Sequence, residues 1–331
     1  MWETGRLAVG ELAGWAGQRV LVTGATGFIG RRVVRRLAEA GARVYAGVAP
    51  DERPERVKRL SAQVERLIFD LRDSDAVHVA VAEAAPQVVL HLAAVGTTDP
   101  GVDPDLALAV NAGGTLHLLQ ALRERKIQRV VLVGTCYEYA AQGPVEGGDR
   151  DGCLDPFNAY AASKVAAWAF GHMYWRAYGL PIVTVRPFQV YGPGQPDHTL
   201  VPAAIRAALA GGDFPMTPGE QERDFVYVED VVTGMLAAAE APGVEGGSLD
   251  LGTGQVHALR RVVERIWAMT GARGQILAGA LLYRPGEVMH LAADADRTAR
   301  LTSWRAQVGL EEGLCCTIDW HTRNQTCRSL S

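Results

Sequence analysis

Apolar residues in this chain fall into short runs separated by longer amphipathic stretches. Arg19–Thr23 (RVLVT) is a β-branched apolar run and predicts a buried strand. Residues 30–40 carry apolar positions at helical spacing and stop at Gly41, a natural C-cap. Residues 43–48 predict a second strand, 66–69 a third followed by Asp70, and 86–94 (PQVVLHLAA) a fourth. A helix is expected over 106–124. A fifth strand, Arg129–Val133 (RVVLV), closes at Gly134-Thr135, and a long helix follows over 158–178 with Pro156 just ahead of it. Residues 181–186 give a sixth strand. Strands separated by helices imply parallel βαβ units, so the fold class is α/β, a doubly wound parallel sheet.

Beyond Arg186 the pattern loosens and Gly and Pro become frequent (RPFQVYGPGQPD, GGDFPMTPGEQ). The division expected is a dinucleotide-binding domain over 18–185, joined by about 226–252, and a smaller C-terminal α/β substrate domain from 186–225 and 253–331. Such a domain packs over the carboxyl edge of the sheet, where open α/β sheets bind ligands. Residues 1–17 read as a strap or a frayed extension.

Composition narrows the class. With 48% apolar and 21% charged residues the chain is an ordinary globular one. A net charge of −4 gives no electrostatic footprint for nucleic acid or an anionic membrane. No apolar run approaches a membrane span, and the N-terminus has no signal-peptide pattern. The five cysteines (Cys136, Cys153, Cys315, Cys316, Cys327) are odd in number and form no Cys-x-x-Cys pair. A reducing, cytoplasmic setting with free thiols is expected. The eight histidines lack metal-ligand spacing.

Two motifs carry chemistry. Gly24, Gly27 and Gly30 form G-x-x-G-x-x-G directly after the first strand and open the first helix. Glycines permit close backbone approach to a pyrophosphate, and the helix N-terminus supplies N–H donors. An acid ending the second strand would meet the adenosine ribose of NAD. Val48 stands there instead. Arg53, slightly later, suits a 2′-phosphate or is a solvated loop charge, and the balance tilts to NADP. The second motif is Tyr160-Ala161-Ala162-Ser163-Lys164, in which one of only three lysines shares a helix face with a tyrosine. A neighbouring cation favours the phenolate, so the pair is a plausible general acid/base.

Together these residues resemble the extended short-chain dehydrogenase/reductase family, in its nucleotide-sugar epimerase/dehydratase branch, over roughly residues 19–321. TGATGFIG is similar to the family's cofactor turn and YAASK to its Tyr-x-x-x-Lys. The resemblance implies a cofactor, NAD(P), held by Gly24, Thr26, Gly27, Phe28, Ile29, Arg53, Asp70, Leu71, Ala93, Ala94, Lys164 and Pro187. It implies catalysis by Thr135, Tyr160 and Lys164, with Thr135 standing twenty-five residues before Tyr160. Asn111, in NAGGT, either touches the cofactor or positions a helix. RDFVYVED and RPGE resemble segments whose arginines, here Arg223 and Arg284, meet a nucleotide diphosphate. Tyr137 and Gln189 complete the implied substrate contacts; Gln189 departs from the asparagine common in the family. Helices 106–124 and 158–178 resemble those of the family's dimer interfaces, so a homodimer is expected, with Trp168, Met173 and Trp175 as interface or core.

The implied substrate is a nucleoside-diphosphate sugar, with hydride transfer at C4 of the hexose. Sugar 4,6-dehydratases of the family carry a Glu, often Asp-Glu, just after the catalytic Thr. Here Cys136-Tyr137 stand there, and strand alternation would turn Glu138 to the other face, so dehydration is disfavoured. Two enzymatic readings remain, a 4-ketoreductase consuming NADPH and a C4 epimerase retaining NAD, and the apolar Val48 tilts to the reductase. A non-catalytic NADP-sensing regulator on the same fold would not need the Thr135–Tyr160–Lys164 set.

Overall fold

Runs of β-branched residues pair side by side here because helices cover both faces of the sheet they form. The computed structural model describes residues 13–99, 101–139, 154–284 and 286–328. In chain order the first half contains β1 (Arg19–Thr23), α1 (Gly30–Glu39), β2 (Arg43–Val48), α2 (Pro54–Val57), β3 (Glu65–Ile68), α3 (Ser74–Ala84), β4 (Val88–His91), α4 (Pro104–Ala107), α5 (Gly114–Leu122), β5 (Arg129–Val133), α6 (Ala159–Tyr178) and β6 (Ile182–Pro187). The second half contains β7 (Gln189–Tyr191), α7 (Leu200–Ala210), β8 (Phe214–Met216), β9 (Glu222–Tyr227), α8 (Val228–Glu240), β10 (Ser248–Leu251), β11 (Val256–Ala258), α9 (Leu259–Thr270), β12 (Ile276–Ala278), β13 (His290–Leu291), α10 (Ala295–Thr302) and α11 (Leu310–Arg328).

Seven parallel strands form the main sheet in the order β10-β6-β5-β4-β1-β2-β3. The order reverses between β1 and β4, which opens a crevice at their carboxyl ends. One face packs around Val20, Val22, Val33, Leu37 and Met235. The other packs around Leu21, Val77, Leu118, Leu122 and Ile182. Trp15 is buried in the first of these cores, so residues 13–17 strap the sheet. β7, β9, β11 and β13 pair over the carboxyl edge, and α7, α9 and α11 share a third core with them.

Three expectations change in detail. The helix expected at 106–124 is interrupted by a π-helical segment, Leu108–Gly113, which contains Asn111. β5 does not continue past Val133; the chain enters a 3-10 turn at Cys136–Glu138. Trp168 and Trp175 face inward: the Arg186 guanidinium lies 5.8 Å from the Trp168 ring, and Trp175 packs on Gly246. Met173, by contrast, is exposed. Cys136, Cys315 and Cys316 are free thiols; Cys153 lies outside the described residues. No helix among the described residues is long and apolar enough to cross a membrane.

Asp224, fully buried on β9, ties the second half together. Its carboxylate accepts from the Thr253 N–H and hydroxyl, from Gly254 N–H at 2.8 Å and from Ala293 N–H at 3.2 Å. Removing it strands those donors out of water. Asp224→Ala is expected to lower stability by about 3 kcal/mol or more, read by urea unfolding; a loss within ~0.5 kcal/mol would show that water replaces the carboxylate.

Candidate active site

The crevice between β1 and β4 is built from backbone. Gly24 has φ +66°, and a Cβ there would sit 2.7 Å from Ala93 N, so only glycine lets the two strand ends approach. α1 begins with no side chain capping its N-terminus, which leaves its first N–H groups and partial positive charge facing the turn. Ala93 and Ala94 line the β4 side as small, half-exposed residues. These features fit a dinucleotide pyrophosphate held by residues 24–30.

The network beneath the crevice fixes a tautomer. The Thr115 hydroxyl donates to Asn111 O, so it accepts from His91 Nε2 at 3.0 Å. His91 Nδ1 then accepts from the Thr23 hydroxyl at 2.7 Å, and Thr23 accepts from Ala93 N–H. The Asn111 amide bonds Val95 through both N–H and C=O and donates to Ser163, so its role is to position the cofactor-side loop against α6.

At the adenosine end the structure supplies an acid. Thr23 pairs with Gly47, so the loop after β2 runs beside the glycine turn. Glu52 in that loop accepts a hydrogen bond from the Thr26 hydroxyl and from Arg53 N–H. Val48 is buried, as an apolar strand end should be, but the acid absent from position 48 arrives four residues later. Arg53 is exposed, and its guanidinium makes no hydrogen bond or ion pair with a described residue. Arg31 is held down to about 10 by burial first and then by the charges of Arg32, Arg59, Arg35 and Arg56. Asp70 is clamped by Arg72, whose hydrogen bond lowers its pKa, and Leu71 O accepts from the His117 ring. Phe28 lies under the Arg32 guanidinium at 4.8 Å. Arg32 also bonds Glu229 at 3.0 Å and Pro193 O, and Arg31 bonds Gly194 O at 3.0 Å, so α1 is fastened to the segment after β7.

Thr135, Tyr160 and Lys164 converge at the ends of β5 and α6, and all three are buried. Asn158 caps α6 by accepting from Ala161 N–H, which orients its first turn. Burial raises the Tyr160 phenol above its ordinary value, Glu138 adds to the rise, and a hydrogen bond with Thr135 opposes it. Thr135 is thus a contact that holds the phenol down against its burial. Burial lowers Lys164 to about 8, with Glu138 opposing, and its ammonium has no hydrogen-bond partner among the described residues. That orphaned donor fits the hydroxyls of a nicotinamide ribose. Pro187 ends β6 beside Leu251 and closes the far wall.

The substrate side is partly assembled. Tyr137 donates to Gln189 Oε1 at 3.3 Å and meets Phe157 edge-on. Arg223 is buried beside them, where its charge acts on Tyr137 and Cys136, and it pairs with Glu287 at 2.9 Å and with Val288 O. Arg284 is exposed, and its carbonyl accepts from the N–H of Glu287, the partner of Arg223. Burial pushes the Cys136 thiol up to about 12, so it is an inert filler. Sequence reasoning did not find Glu52 or Glu287. The first is signalled by an acid two residues ahead of a helix-starting Pro54, the second by the acid closing RPGE.

The profile described as NAD dependent epimerase/dehydratase family matches residues 20–252. A UDP-glucose 4-epimerase of Mycolicibacterium smegmatis is 31% identical over 91% of this chain and 98% of its own length. A dTDP-glucose 4,6-dehydratase of Xanthomonas campestris is 28% identical over 92% and 93%. Among solved structures, the UDP-glucose 4-epimerase of Thermus thermophilus in complex with NAD has 29% identity and a TM-score of 0.79, covering 92% of this chain and 99% of its own. The Thermotoga maritima UDP-glucose 4-epimerase with UDP-glucose has 25% identity and a TM-score of 0.85 over the same shares.

His91 makes the site acid-sensitive. Burial, aided by the Lys164 charge, lowers it from 6.5 to about 3. Below pH 6.5 the unfolded chain takes up a proton that the folded chain refuses until about pH 3. Stability from this group is therefore lost as pH falls through that window, by up to about 1.4 kcal/mol per unit. Urea unfolding at pH 7 and pH 5 should show a larger loss for the native chain than for His91→Asn; equal losses would remove this account.

Proposed function

The chain belongs to the NAD-dependent epimerase/dehydratase family, and from that premise we propose that it is a C4 epimerase of a nucleoside-diphosphate hexose that retains NAD. The observation carrying the choice of cofactor is Glu52 against Thr26. A carboxylate at the adenosine end accepts from ribose hydroxyls and repels a 2′-phosphate. This removes the ground on which Val48 favoured an NADPH-dependent ketoreductase. The family comprises NAD-dependent epimerases and dehydratases, and nucleotide-sugar relatives of both kinds match.

The residues divide the work as follows. A bound nicotinamide would supply reversible hydride transfer at the sugar carbon. Tyr160 removes the proton of the C4 hydroxyl during oxidation and gives it back during reduction. Thr135 bonds the same oxygen and fixes its position. Lys164 holds the nicotinamide ribose, and its charge favours the phenolate once that contact orders it. Gly24, Thr26, Gly27, Phe28 and Ile29 seat the pyrophosphate, with Asp70, Leu71, Ala93, Ala94 and Pro187 walling the rest. Tyr137, Gln189 and Arg223 meet the substrate. For Arg223 to bond a diphosphate, Glu287 must yield. Arg284 lies in the turn that carries Glu287 and is the second arginine offered to the phosphates. Dehydration lacks its base, because Glu138 is committed to Arg186 and to Thr135 N–H.

A second reading, the NADPH-dependent 4-ketoreductase, is favoured by the arginines around Arg31 together with the free Arg53. Mass analysis of the nucleotide released on denaturation decides between them. Tightly held NAD, with interconversion of NDP-glucose and NDP-galactose in the absence of added cofactor, is expected. Release of NADP, or turnover only with added NADPH, would establish the ketoreductase. Tyr160→Phe should lower kcat by ~10²–10⁴ without unfolding the chain; activity within twofold would exclude the phenol as acid/base.

Exposed Leu108 and Met173, on helical segments that pack together, support a homodimer through this face. Light scattering at micromolar concentration should give twice the chain mass, and Met173→Glu the single mass. A monomeric native chain would refute it.

A further inference from the structure

Glu138 and Arg186 have no part in the chemistry above, yet both are wholly buried directly under it. Arg186 Nε donates to Glu138 Oε2 at 2.7 Å, and Thr135 N–H donates to Glu138 Oε1 at 2.8 Å. The Thr135 hydroxyl in turn caps the 3-10 turn that carries Glu138, so the two residues lock each other. Gly134 has no side chain because a Cβ there would lie 2.4 Å from Glu138 Oε1. Arg186 is held by the Ser248 hydroxyl at 2.8 Å and the Tyr139 oxygen at 3.0 Å, and Tyr139 donates to Asp250 at 2.6 Å.

A buried ion pair is seldom retained for stability alone, since apolar residues of equal volume commonly do as well. Here the carboxylate lies close to the reacting groups and the guanidinium lies behind it. Glu138 is a charge that acts on both Tyr160 and Lys164. We propose that the Glu138–Arg186 pair is a positioning device for the reaction: it fixes the Thr135 backbone and sets the Glu138 carboxylate beneath Tyr160 and Lys164. That charge keeps Lys164 protonated in a dry site and keeps the phenolate basic enough to take the C4 hydroxyl proton. The inference rests on the reading that Tyr160 exchanges that proton.

Among the described residues, these groups lie around this charge. On α6 they are Tyr160 and Lys164; on β6, Arg186; on its own turn, Cys136, Tyr137 and Tyr139. Asp250 of β10 lies beyond Tyr139, and His91 of β4 faces Lys164.

Only three lysines occur in the chain, Lys58, Lys126 and Lys164, so NMR of ¹³Cε-lysine follows Lys164 directly and needs no turnover. Its midpoint, about 8 in the native chain, should fall by about one unit in Glu138→Gln. The Gln amide oxygen still accepts from Thr135 N–H, so the change reports charge. In parallel, kcat should fall about tenfold with KM nearly unchanged, and the pH profile should move to lower pH. Because the single variant leaves the Arg186 cation without its carboxylate, E138Q/R186M, which removes the cation as well, serves as the second test and should shift Lys164 in the same direction. An unchanged Lys164 midpoint in a folded variant, or loss of the fold in both, would assign the pair to stability alone and overturn the proposal. A shifted midpoint in a chain that turns over no NDP-hexose would keep this inference and sink the epimerase reading instead.

Discussion

Burial of charge is the constraint on which the rest of this structure depends. Glu138, Arg186 and Lys164 lie out of water at the carboxyl ends of β5 and β6 and on the facing turn of α6. A charge in that position needs a partner or a shifted pKa. Arg186 has the first, through Glu138, Tyr139 and Ser248. Lys164 shows the second. The neutral groups obey the same rule: Asn111, Thr115 and Thr23 satisfy one another through His91 and the loop after β4, and every donor there has a named acceptor. The π-helical segment follows from this. It lets Asn111 reach the backbone of Val95 while α5 still packs on α3.

Much of this was legible in the chain. RVLVT and RVVLV are β-branched runs with no polar interruption, and they became the two strands flanking β4. TGATGFIG was readable because a strand, a turn and a helix in that order leave glycine no other use. Tyr160 and Lys164 were readable because helical spacing is a local property. What escaped depends on side-chain direction after the chain leaves regular structure. Alternation was extended through residue 138 as though β5 continued, but a 3-10 turn rotates Glu138 under Thr135. Position 48 itself carries no acid, whereas the loop returns Glu52 to the turn from four residues further on. Arg223 and Arg284 looked equivalent as motifs. One lies on a central strand and is buried, the other in an open turn.

The second half closes over this site through an apolar cluster, in which Cys136 and Tyr139 pack with Phe188, Val288 and Leu291, and through buried carboxylates. Asp224 collects Thr253, Gly254 and Ala293, and Asp250 collects Tyr139 and Asp294. Segments distant in the chain are thereby set relative to the sheet with angular as well as radial precision, which apolar contact alone does not provide.

The bonds from Arg31 and Arg32 to the carbonyls at 193 and 194 carry a mechanical consequence. They join the opening turn of α1 to the stretch that leads into α7, so these two pieces form one lever. A displacement of the opening turn of α1 is therefore carried directly to the stretch ahead of α7, without any long relay between them.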